Sequence, residues 1–255
     1  EMYKITRGYQ ISCGSDSTAA ITEKGLYIWG DNSFGQFGDG NDEDSNVPVL
    51  IKSIPKPLQV SCGYIHTAVI TEKGLYTWGN NTRGQLGDGT IVDSNVPVHI
   101  KSIPKPLQVS CGYDHTAVIT AEGLYTWGQN EYGQLGDGSN KDSNVPVLIK
   151  LPSKPLQVSC GYDHTAVITE KGLYTWGSND DGQLGDGTNV GSNVPVHIKL
   201  PSKPLQVSCG NEYTAAITEK GLYIWGSNDN GKLGDGRYVD SNVPVLIDSL
   251  PKPLQ

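Results

Sequence analysis

The chain is 255 residues long, with 32 Gly and 15 Pro against only 2 Phe and 1 Met. That composition speaks for many short strands joined by turns and against a helical bundle. A formal charge of −8 argues against a general nucleic-acid binder, and no apolar run nears the ~20 residues that cross a bilayer as a helix.

In chain order, residues 1–10 read as a degenerate strand that closes a ring. From residue 11 onward the sequence is one unit copied five times. Trp falls at 29, 78, 127, 176 and 225, and Cys at 13, 62, 111, 160 and 209, both at a step of 49 residues. The repeats run 11–59, 60–108, 109–157, 158–206 and 207–255 within a single domain. Each predicts four short strands, seen in the third copy as Gln108-Val-Ser-Cys, Thr116-Ala-Val-Ile-Thr, Gly123-Leu-Tyr-Thr-Trp and Val145-Pro-Val-Leu-Ile. Pro146 and its counterparts mark the fourth run as an outer edge strand, where a missing N–H breaks no ladder. The expected fold is all-β: a β-propeller of five 49-residue, four-stranded repeats, most simply a closed five-bladed ring. If the natural chain continues past Gln255, further blades complete six or seven. One Trp per copy in one strand reads as inter-blade packing. One Cys per copy, odd in total, reads as buried free thiols in a reducing compartment, which places a monomeric protein in the cytoplasm.

Cys111-Gly-Tyr-Asp-His-Thr-Ala-Val-Ile-Thr, Gly123-Leu-Tyr-Thr-Trp-Gly and Gly133-Gln-Leu-Gly-Asp-Gly, in this order and spacing, resemble the regulator of chromosome condensation repeat. The resemblance covers residues 11–255 and implies a β-propeller, seven-bladed in most members, whose best-known activity is guanine-nucleotide exchange on the small GTPase Ran. Other members are binding platforms or inhibitors, and some are effectors that intracellular bacteria deliver into host cytosol. This chain has five copies, and no insertion interrupts any of them.

Alternating strand direction sorts the connections onto two ends of each blade. The Cys-Gly-x-x-His turn and the loop after Trp-Gly belong to one end, here called upper; the Thr-Glu-Lys-Gly turn and the Lys-rich link to the next repeat belong to the lower. Upper loops diverge among copies, whereas the lower turn reads Thr-Glu-Lys-Gly four times and Thr-Ala-Glu-Gly once. Most of the 27 acidic residues fall in upper segments, and most of the 19 basic ones in lower segments. Such a dipole suits a basic protein partner above, repels nucleic acid there, and offers anionic lipid a basic surface below.

The resemblance implies that Asp or His of the Gly-x-x-His segment faces a GTPase, which matches His66, Asp114, His115, Asp163 and His164, with Asp16 and Glu212 in the first and fifth copies. Arg83, Tyr132, Asp180 and Asp181, from divergent upper loops, complete the partner-binding candidates. For each His the alternative is a hydrogen bond to a neighbouring strand that supports the turn. Gly84-Gln-Leu-Gly-Asp-Gly is a tight turn rather than a phosphate cradle, because no Lys-Ser/Thr or helix follows it. No complete calcium loop and no Ser-His-Asp constellation is present, so neither metal, cofactor nor covalent catalysis is expected. The expectation is an exchange factor for a Ran-type GTPase, plausible as a bacterial effector in host cytosol; the alternative is a non-catalytic binding or inhibitory propeller.

Overall fold

Gly closes the hairpins and β-branched residues fill the runs between them, giving β1 to β20 in a computed structural model that describes residues 10–250. Blade 1 holds β1 (Gln10–Cys13), β2 (Ser17–Thr22), β3 (Gly25–Gly30) and β4 (Ser45–Ile51). Blade 2 holds β5 (Pro57–Cys62), β6 (His66–Thr71), β7 (Gly74–Gly79) and β8 (Ser94–His99). Blade 3 follows with β9 (Pro106–Cys111), β10 (His115–Thr120), β11 (Leu124–Gly128) and β12 (Ser143–Ile149). Blade 4 holds β13 (Pro155–Cys160), β14 (His164–Thr169), β15 (Gly172–Gly177) and β16 (Ser192–Ile198). Blade 5 holds β17 (Pro204–Cys209), β18 (Tyr213–Thr218), β19 (Gly221–Gly226) and β20 (Ser241–Leu246). Every sheet is an antiparallel meander in sequence order, so the fourth run is the outer edge as its Pro requires. Blades therefore open a few residues ahead of the repeat boundaries drawn from the sequence. The strand expected at 1–10 lies outside the described residues except for Gln10.

The lower turn is constant for a local reason. Thr71 Oγ1 donates to the Gly74 carbonyl at 3.0 Å and accepts the Lys73 N–H at 3.1 Å, and Gly74 takes φ +126°. Thr22, Thr120, Thr169 and Thr218 repeat this bond. The Thr hydroxyl and the positive-φ Gly thus close this hairpin in every blade.

Blades join through a repeated set of bonds. Between blades 2 and 3, Trp127 Nε1 donates to the Gln85 carbonyl at 2.9 Å and Thr116 Oγ1 donates to the same oxygen at 2.8 Å. The Val109 N–H donates to Gln59 Oε1 and the Cys111 N–H to Ser61 Oγ, each at 2.9 Å. The same bonds recur at the other three junctions, from Trp78 and Thr67, from Trp176 and Thr165, and from Trp225 and Thr214. These four Trp are fully buried in separate inter-blade clusters with Val, Leu and Ile of both neighbours, worth roughly 2–3 kcal/mol each as buried apolar side chains.

Among the described residues the five blades do not close into a ring. Among the described residues no hydrogen bond joins blade 5 to blade 1, and Ile11 is 72% exposed where its counterpart Val60 is 5% exposed. Cys13 is exposed whereas Cys62, Cys111 and Cys160 are buried, and Trp29 has no carbonyl partner among the described residues. The closed five-bladed ring is thus corrected to an open arc. Among the described residues its end faces carry the two halves of one such interface without partners: the Ile11 and Cys13 N–H groups and Trp29 Nε1 at one end, Gln206 and Ser208 at the other.

Candidate functional site

The turn and loop assigned to the upper end do lie together. The N–H groups of Asn80, Gln129, Ser178 and Ser227 donate to the carbonyls of Ile65, Asp114, Asp163 and Glu212 at 2.8–2.9 Å. At the centre of this end the Cys-Gly-Tyr segments line a channel of about 600 Å³. Tyr64, Tyr113 and Tyr162 form a ladder at its mouth, with centroids 4.1 and 3.9 Å apart. Ser15 and Asn211 stand at the tyrosine position in blades 1 and 5, so the mouth is aromatic on one side only. Three of the thiols that line the channel are held protonated: burial pushes Cys62, Cys111 and Cys209 up to about 12.

Beside the ladder sit Asp114 and Asp163. Asp114 Oδ1 accepts from Gln85 Nε2 at 2.8 Å and Asp163 Oδ1 from Gln134 Nε2 at 3.0 Å, each Gln belonging to the preceding blade. Both carboxylates are half-buried. Burial raises Asp114 to about 6, opposed by Arg83 and the Gln85 bond. Burial also raises Asp163 to about 6, and the neighbouring carboxylates Asp114, Glu131 and Glu212 reinforce the shift. Asp181 rises for the same reasons, burial first and then Glu212, Asp240, Asp180 and Asp229. The face is an anionic site short of cations, and a cation brought to it lowers this mutual repulsion.

His66, His115 and His164 are not on that face. They are at most 1% exposed, and each Nε2 meets Thr116, Thr165 or Thr214 of the next blade at 2.9–3.0 Å. Because that Thr hydroxyl gives its hydrogen to a Gln carbonyl, the ring donates from Nε2 and Nδ1 is left as a buried acceptor without a donor. The ring occupies the space that a Cβ on Gly63, Gly112 or Gly161 would fill. A partner cannot reach these rings, so their partner-binding role is withdrawn and the inter-blade hydrogen bond stands. The repeated Gly-x-x-His-Thr string carried this signal, since a small residue and a hydroxyl flank the ring in the fold.

The remaining candidates stay on the surface. Asp16, Glu212, Tyr132 and Asp180 are exposed, and Arg83 Nη1 lies 3.4 Å from Asp142 Oδ2 across the blade 2–3 groove. That is the one ion pair among the described residues, as expected if opposite charges occupy opposite ends. Below, every lysine of the described turns and links, Lys24 to Lys220, is exposed. Much of the upper acid is structural. Asp88 Oδ1 accepts the Thr90 N–H at 2.9 Å and Asn81 Nδ2 at 3.2 Å, so the Gly-Asp-Gly turn carboxylate holds its loop.

A family model described as the RCC1-like domain matches residues 4–255. The chain belongs to the RCC1-like propeller family. Human WBSCR16 is similar in structure at TM-score 0.85 and 28% identity, over 97% of this chain and 69% of that one. Yeast RCC1 (Prp20), crystallised with Kap60, shares the fold at TM-score 0.83 and 21% identity, over 94% of this chain and 62% of that one. Prp20p from Saccharomyces cerevisiae, studied for binding to Gsp1p and histones, matches at TM-score 0.83 and 20% identity, over 94% of this chain and 63% of that one. The human E3 ubiquitin-protein ligase HERC2 is 44% identical over 45 residues, which is 17% of this chain and 1% of HERC2. The chain thus spans about two thirds of the length of its structural relatives and a small fraction of HERC2.

Proposed function

We propose that the upper face binds the basic surface of a small GTPase of the Ran type and promotes release of its nucleotide. The observation that carries this reading is the pair Asp114 and Asp163, each half-buried, held by a Gln of the preceding blade, and raised to about 6 by burial. Bound GDP is retained by cationic groups on its phosphates. A carboxylate oriented before encounter competes for such a lysine through a charge-assisted hydrogen bond and needs no covalent chemistry. The negative field of the surrounding loops speeds association more than it tightens the complex. Membership of a family of exchange factors and binding propellers supports the reading, as do five free thiols suited to a reducing cytosol, including that of an infected host.

The test is release of fluorescent GDP from Ran in the presence of micromolar protein. Acceleration that disappears in Asp114→Lys with Asp163→Lys, while the variant stays folded, supports exchange through this face. Ran captured without acceleration assigns the same face to docking or inhibition, the second reading, which the short uninterrupted upper loops favour. The absence of both capture and release rejects the GTPase as partner.

A further inference from the structure

Five copies of one loop provide an internal control. In blades 1, 2, 3 and 5 the backbone N–H of Asn32, Asn81, Asn130 and Asn228 donates to Asp44, Asp93, Asp142 and Asp240 at 2.7–2.8 Å. Blade 4 has Gly191 at the Asp position, and the Asn179 N–H has no acceptor among the described residues although Asn179 is 1% exposed. A buried donor without a partner costs about 1–3 kcal/mol, so it is a point where an incoming acceptor gains.

The same substitution opens a cleft. Across the blade 2–3 groove, Arg83 and Asp142 reach each other. At the blade 3–4 groove their counterparts are Tyr132 and Gly191, and a cavity of about 490 Å³ lies between the two upper loops. Its walls include Glu131, Tyr132, Ser178, Asn179, Asp180 and Gly191. Tyr132 is 43% exposed and lines this cavity together with the acidic residues Glu131 and Asp180. A free carboxylate ligand would satisfy the Asn179 N–H but meet two like charges. A neutral carbonyl satisfies it without that repulsion, and an attached cation gains from both acids and from the ring.

We propose that this cleft receives a Lys or Arg side chain of the basic partner, its charged head between Glu131, Asp180 and the Tyr132 ring and its backbone carbonyl on the Asn179 N–H. This rests on the reading of the upper face as a surface for a basic protein, and it names the blade junction where that partner is anchored.

The probe is Nα-acetyl-lysine methylamide, titrated into the full chain while the Asn179 amide is followed by NMR. The expected result is a saturable downfield shift of that amide with the lysine compound and none with the norleucine analogue. Gly191→Asp supplies the missing carboxylate internally and should weaken binding about tenfold or more, whereas Gly191→Ala should change it less than about twofold. A Cβ at residue 191 would lie 2.9 Å from the Gly177 carbonyl, so the Ala variant also reports any shift of that backbone. Glu131→Gln with Asp180→Asn, both at exposed positions, should weaken binding comparably to Gly191→Asp. An unmoved Asn179 amide, an equal response to norleucine, tighter binding of acetate, or full affinity in both Gly191→Asp and the double variant overturns the assignment. GDP release from Ran is read separately, so the cleft and the GTPase can fail independently.

Discussion

Lowering the pH from about 7 to about 5 should loosen the blade junctions, because their histidines are neutral only while buried. Burial holds His66 and His115 down at about 3 and His164 at about 4, against 6.5 when unfolded. Their contribution is complete above 6.5 and is lost as the pH falls toward the folded values, since the unfolded chain takes up protons that the folded chain refuses. Asp114 and Asp163 act in the opposite sense: raised from 3.8 to about 6, they bind protons on folding and gain stability as the pH drops through that window. Near pH 5 the unfolded chain carries about three extra protons on histidine, and the folded chain at most about two on these carboxylates. The net of about one proton means about 1.4 kcal/mol lost per pH unit. Replacing both carboxylates, Asp114→Asn with Asp163→Asn, removes the offset, and the loss should steepen to about 4 kcal/mol per unit. Urea unfolding at a series of pH values, followed by Trp fluorescence, reads both slopes. A wild-type stability flat between about pH 6 and about pH 4.5, or a double variant with the wild-type slope, would refute the argument.

Thr116→Val removes both the donor to the Gln85 carbonyl and the acceptor of His66, and should cost about 2–3 kcal/mol in urea unfolding. Thr18→Val, the same change at the unfilled end of the arc, should stay within about 0.5 kcal/mol. Gly87→Ala should cost about 3 kcal/mol or more, because Gly87 has φ +74° and its Cβ would lie 2.6 Å from Trp127 Nε1. Gly234→Ala, at φ +72° with nothing within 4 Å, should cost only about 1 kcal/mol by the same measurement. The lysines of the lower face should bring the protein down with phosphatidylserine vesicles and not with neutral ones, and Lys73→Glu with Lys171→Glu should reduce that sedimentation several-fold; equal sedimentation with both lipids would dispose of the lipid contact.

Strands, edges and packing Trp were legible because each leaves a mark inside one repeat: a β-branched run, a Pro, an indole at fixed spacing. Closure was not, because the angle between neighbouring blades arises from packing between repeats, and the Gln and Ser acceptors that set it look like ordinary polar strand residues. The histidines were misplaced for a related reason. A His after Gly-x-x reads as a turn residue, and only the missing Cβ of Gly63, Gly112 and Gly161 shows that the ring turns inward. The change from Asp to Gly191 was visible among the loop sequences, but its meaning depended on knowing that the Asp caps the Asn N–H 12 residues earlier in the same loop.

A complete wheel can lose no spoke without breaking two unions at once. The C-shaped stack described here can peel from either tip by breaking one. Amide exchange should therefore be fastest in β1 to β4 and β17 to β20 and slowest in β9 to β12, grading protection along the chain.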